Sequence, residues 1–126
     1  MKLLFHLLTI FPLLGFAQVG STCQGRIDGE YICLNEDFEG WQMTIQDSLM
    51  VQTNKEYELS IYSDLEWISE CEFSSTIVKV KGPPQAGLIG STTKVTVTRL
   101  NPRSMVIETN SEGELKEWRY SKKLEP

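Results

Sequence analysis

Three cysteines, Cys23, Cys33 and Cys71, one histidine, His6, and an acidic cluster, Glu36, Asp37 and Glu39, are the residues of this chain best suited to chemistry. Cysteine thiolates bind metals or oxidise to disulfides. Two carboxylates can cleave a glycosidic bond, and a histidine can act as general base or metal ligand. His6 lies inside an apolar N-terminal run that reads as a removable leader, so the mature chain keeps no histidine base, no Ser-His-Asp triad and no imidazole ligand. Scattered cysteines without histidine lack the paired spacing that zinc favours. Asn35 to Glu39 offers oxygens for calcium, but the D-x-D-x-D-G spacing is missing. Gly87 and Gly90 have no following Lys-Ser/Thr, so no phosphate-cradling loop is expected and no cofactor is implied. One enzymatic reading survives, a carboxylate-dependent hydrolase using Glu36, Asp37 and Glu39. These acids fall on an apparent turn, where carboxylates ordinarily face water.

The leader sets the compartment. Met1-Lys2 opens it, Leu3 to Phe16 is apolar apart from His6 and Thr9, and Gly15 and Ala17 stand at −3 and −1 of a cut before Gln18. This predicts a signal peptide over 1–17, too short for a transmembrane helix of ~20 residues. The mature chain, 18–126, is then exported to the periplasm or beyond. A lipid anchor at Cys23 is disfavoured, because Thr22 stands where lipoprotein processing wants Gly or Ala. No later stretch is apolar enough to span a membrane. An oxidising compartment favours a disulfide among the cysteines. From Gln18 to Glu72, twelve acids face two bases, whereas from Phe73 onward nine bases face five acids. The mature chain is acidic overall, which argues against nucleic acid. The simplest use of the asymmetry is mutual neutralisation in a closed fold; the alternative is a bipolar docking surface.

These residues must be positioned by strands. From Tyr57 to Trp67 the odd positions, mostly apolar (Tyr57, Leu59, Ile61, Leu65 and Trp67, with Ser63), alternate with Glu58, Ser60, Tyr62, Asp64 and Glu66. That period of two marks a half-buried antiparallel strand. Ile68-Ser69-Glu70 reads as a tight turn, and pairing about Ser69 would set Trp67 against Cys71 and Leu65 against Phe73. The apolar phase then slips from Ile77 to Val78 and Val80, predicting a bulge near 74–76. Upstream, Asp28 to Leu34 reads as a strand, followed by Trp41, Met43 and Ile45 on one face and Leu49, Val51 and Thr53 returning to it. Downstream, Lys81 to Ser91 is a long loop broken by Pro83, Pro84, Gly82 and Gly87. Strands follow over 93–100, 105–109 and 114–121, the last with Trp118 and Tyr120 inward. Eight short strands joined mostly by hairpins, with no convincing helix, predict one all-β domain, an antiparallel barrel or sandwich, and the hairpins favour a single up-and-down meander of about eight strands closing on itself as a barrel. Trp41, Trp67, Phe73, Trp118 and Tyr120 could nearly fill its narrow interior.

The chain resembles a group of short exported proteins with a lipocalin-like meander from envelope-rich Gram-negative bacteria. Cys23, Gly29 and Tyr31 carry the resemblance as C-x5-G-x-Y, with Trp41, Asp47-Ser48, Gly90 and above all the run Trp67-Ile68-Ser69-Glu70-Cys71-Glu72-Phe73. It covers nearly all of the mature chain. The family brings no established activity. Some members bear a DNA topoisomerase IV label, for which this chain offers neither an ATP-binding motif nor a DNA-breaking domain. The resemblance implies a Cys23–Cys71 disulfide, leaving Cys33, a departure from the family pattern, free. Cys33–Cys71 is the rival pairing, required if Cys23 is lipidated.

The function expected is a non-enzymatic binding module for a small apolar ligand, held by Trp41, Met43, Leu59, Trp67 and Trp118, with the 81–91 loop as lid. Two alternatives stand beside it. One is a structural or interaction protein of the cell envelope with a filled core; the other is the hydrolase. Interior volume separates the first two.

Overall fold

A computed structural model describes residues 23–83 and 87–124; the expected signal peptide lies outside them. Eight antiparallel strands follow in order: β1 (Gly29–Cys33), β2 (Trp41–Gln46), β3 (Leu49–Asn54), β4 (Leu59–Ser69), β5 (Glu72–Lys81), β6 (Thr92–Asn101), β7 (Ser104–Ser111) and β8 (Glu114–Lys122). Each pairs with the next, and β8 returns to β1, closing an up-and-down barrel. The expected all-β meander is therefore the fold. Among the described residues its one helical feature is a short 3₁₀ turn, Glu36–Phe38, between β1 and β2.

Local chemistry makes the turns. Asp47 and Ser48 both take positive φ, 49° and 65°, the two-residue geometry whose twist matches flanking strands. Asn101 Oδ1 accepts from the amides of Arg103 and Ser104, each at 2.9 Å, and Asn110 Oδ1 accepts from Gly113 N at 3.0 Å. The seam between β1 and β8 is the shortest pairing, with only Tyr31↔Lys122, Ile32↔Ser121 and Cys33↔Tyr120. Asn35 extends it with its side chain: Nδ2 donates to Glu117 O at 3.0 Å, and Oδ1 accepts from Arg119 N at 2.9 Å.

Four local readings are corrected. On β3 the inward residues are Met50, Gln52 and Asn54, not Leu49, Val51 and Thr53: the two-residue turn pairs Gln46 with Leu49, so odd positions on β2 face even ones on β3. Between β4 and β5 the register differs by two residues. Trp67 pairs with Phe73 and Leu65 with Ser75, because Ser69 pairs with Glu72 and Ile68 is bulged out. The expected bulge on β5 occurs, but at Val78, which is skipped between the pairs Ser63↔Ile77 and Tyr62↔Lys79. Tyr57 lies in the turn before β4 and is exposed, so the strand starts at Leu59.

Strand direction divides the barrel into two ends. At one, the turns 47–48, 70–71 and 102–103 gather with the segment 23–28. Cys23 is disulfide-bonded to Cys71, as the resemblance implied. Ile27, 1% exposed, plugs the interior there, and Tyr31 Oη donates to Ile27 O at 2.7 Å. Trp67 and Phe73 stack edge-on at 5.2 Å within the same end. Val97 N donates to Cys71 O at 2.8 Å, tying the β4–β5 turn to β6. The other end carries the 34–40 and 55–58 connections, the long β5–β6 loop and the 112–113 turn.

Candidate functional site

The barrel is not filled. Inward positions toward the second end enclose a cavity of about 290 Å³. Its apolar wall comes from Met43, Met50, Ile77, Val95, Ile107 and Trp118. Its polar wall comes from Gln52, Ser63, Ser75, Thr93 and Thr109, with Ser111, Glu114 and Lys116 toward the mouth. Space exists because β4 and β5 place serines, Ser63 and Ser75, at inward positions where their neighbours Leu65 and Phe73 are large. A second cavity of about 180 Å³ adjoins it and shares Met43, Gln52, Trp118 and Tyr120. Cys33, Phe38, Trp41, Gln42 and Ile61 complete its lining.

Trp118 stands between the two spaces. Its Nε1 donates to Thr109 Oγ1 at 2.9 Å, and its ring meets Phe38 edge-on at 4.6 Å. Lys116 Nζ lies over both rings, 4.1 Å from Phe38 and 4.6 Å from Trp118, a pair of cation–π contacts. Deeper in, burial pushes the Tyr120 phenol well above its ordinary range, with Cys33 adding to the shift. Cys33 itself is buried and free.

The structure separates the five residues expected to hold a ligand. Met43 and Trp118 line both cavities, and Trp41 lines the smaller. Trp67 lies at the plugged end, beside Gly25, Ile27 and Asp47 in a separate depression. Leu59 starts β4 beneath Gly82, where a β-carbon would stand 3.1 Å from Leu59 Cα; it lines neither cavity. Sequence reasoning missed Met50, Gln52, Ser63 and Ser75. The first two were hidden by the wrong phase on β3. The serines carried a legible signal, since Ser63 interrupts an otherwise apolar row on β4.

The acids Glu36 and Asp37 form the 3₁₀ turn and are exposed, outside the cavity. Glu39 follows the turn and is exposed as well. Asn35, the remaining candidate calcium ligand, spends its side-chain oxygen on Arg119 N. Among the described residues no group of three or more His, Cys, Asp or Glu gathers to hold a metal.

Compared with family models, with curated proteins and with solved structures, the chain gives no match.

Proposed function

We propose that the protein is an exported, non-enzymatic binding module that holds a small, largely apolar ligand inside the barrel. The carrying observation is the interior cavity of about 290 Å³, closed at the disulfide end and walled by Met43, Met50, Val95, Ile107 and Trp118. An eight-stranded barrel is just wide enough to be filled by side chains or to keep room for one small ligand. The inward serines favour the second outcome, so a filled scaffold is the weaker reading. This volume lies at the lower end of ligand sites, roughly 300–1,000 Å³. The hydrolase reading is weaker too. Glycoside cleavage needs two carboxylates across the scissile bond, whereas Glu114 is the only acid among the described residues on this cavity's wall.

Export is supported by the leader and by the Cys23–Cys71 disulfide, which suits an oxidising compartment. Among the described residues no helix is long and apolar enough to cross a membrane. The resemblance to the exported meander proteins fits the same picture and carries no activity with it.

Two measurements test the proposal. Native mass spectrometry of protein purified from the periplasm should show a bound mass that denaturation releases. A neutral apolar dye, N-phenyl-1-naphthylamine, should bind one saturable site and quench tryptophan fluorescence. Thr93→Trp, at the half-buried mouth, should abolish dye binding without changing the thermal transition. A cavity that takes up neither a native ligand nor the dye would return the protein to the scaffold reading.

A further inference from the structure

We propose that the ligand is an amphipathic monoanion, with an aliphatic chain along Met43, Met50 and Ile107 and a carboxylate held by Lys116 at the cavity mouth. This rests on the binding reading above and adds the chemical class of ligand. Lys116 is on the cavity wall, half-buried, with its ammonium fixed over the Phe38 and Trp118 rings. Among the described residues no carboxylate comes within 4.0 Å of it. Glu36 and Asp37 share an outer groove with Lys116, yet neither forms an ion pair with it. Aromatic faces attract a cation but leave its N–H donors unsatisfied. An anion arriving from the cavity side supplies the missing acceptors.

Charge and burial choose between the two ionic groups of the mouth. Glu114 is exposed at the start of β8, so water screens its carboxylate and a cationic head gains little there. Lys116 is partly withdrawn from water, where a charge-assisted hydrogen bond is stronger. A cationic head would also have to pass Lys116. Lys116 is the one cation lining the cavity among the described residues. Glu36, Asp37 and Glu114 lie around it, and Arg119 in the outer groove is already paired with Glu117, so the mouth suits one negative charge rather than two, which favours a carboxylate over a phosphomonoester. The hydroxyls of Thr93 and Ser111 line the same rim and can donate to the second carboxylate oxygen.

The test compares decanoate with decanol, and with decyl phosphate, on the full mature protein by titration calorimetry and tryptophan fluorescence. The expected result is decanoate bound about tenfold more tightly than decanol, the size of one charge-assisted contact. Lys116→Gln should bring the two to parity by weakening decanoate and leaving decanol unchanged. Glu114→Gln should leave decanoate binding equal or stronger. Circular dichroism and thermal unfolding of each variant confirm that the barrel persists. Equal binding of decanoate and decanol by the wild type would overturn the assignment of an anion, as would a preference that survives Lys116→Gln; decanol binding would then leave the cavity reading standing. Tighter binding of decyl phosphate than of decanoate would overturn the choice of a monoanion. Failure of decanoate, decanol and the neutral dye alike would remove the binding reading itself.

Discussion

Single side chains decide whether this barrel has an inside. Ser63 and Ser75 are buried at inward positions, and each leaves room that a branched residue would occupy. Ser75→Val should raise stability by about 1 kcal/mol through cavity filling and weaken uptake of the apolar dye; chemical denaturation and dye titration read the two effects. Tyr31 acts at the opposite end. Burial, with the Asp28 charge second, pushes its phenol from 10.0 up to about 12. The folded state therefore holds this proton more tightly than the unfolded chain. Its contribution to stability is complete below pH 10 and is lost as pH rises toward 12. In alkaline titration the part of the tyrosinate absorbance that Tyr31→Phe removes should appear together with unfolding rather than before it. Tyr31→Phe, which deletes the bond to Ile27 O, should cost about 1 kcal/mol at neutral pH and reduce the alkaline loss. An alkaline loss of stability undiminished in this variant would contradict the account.

At the scale of elements the weak point is the closing seam. β1 and β8 share three residue pairs, while β7 and β8 share eight. Asn35 compensates by imitating a strand residue with its amide, giving one bond and accepting another across the gap. Asn35→Ala should cost roughly 2 kcal/mol, two modest hydrogen bonds, and should speed hydrogen exchange at Arg119 N in particular. Exchange on β7, the other neighbour of β8, should change little; uniform acceleration would mean that the seam is not a separate unit. The 3₁₀ turn beyond Asn35 also delivers Phe38 to Trp118 and Lys116. One connection thus closes the barrel and furnishes its mouth. That position explains why the acids beside it, Glu36 and Asp37, face outward: the turn's inward direction is taken by Phe38.

For the whole molecule, the disulfide divides a fixed end from an open one. Cys23–Cys71 closes a loop of 48 residues, which on the chain-entropy argument contributes about 4 kcal/mol. Cys71→Ser should lower stability by an amount of that order and release residues 23–28, exposing the space that Ile27 occupies. Limited proteolysis near Arg26 should then accelerate, while Lys116-dependent decanoate binding at the far end should persist below the unfolding transition. Loss of binding in parallel with the disulfide would show that the two ends are not independent. Across the charge asymmetry, one ion pair among the described residues joins the two halves, Lys94 with Glu72 at 3.1 Å. The acidic and basic halves thus keep most of their opposite charge facing solvent.

How much of this was readable without coordinates follows from what each pattern measures. Period-two alternation reports a local property, burial on one face of one strand, so the strands themselves were legible from stretches such as Trp41-Met43-Ile45, Leu59 to Trp67 and Trp118-Tyr120, and the short turns between them favoured a meander. Turn residues such as Asn101-Pro102-Arg103 were legible for the same reason. Register is not local. Bulging Ile68 moved Trp67 from Cys71 to Phe73, and a two-residue turn brought Met50 and Gln52 inward in place of Val51 and Thr53. The site depends on such offsets summed around a closed sheet, because a cavity is the space that many strands jointly leave empty. Alternation and turn residues therefore determined an antiparallel meander of eight strands; only the closed tertiary structure decided that it is a barrel, that the barrel is hollow, and that a lysine held by two aromatic rings stands at its mouth.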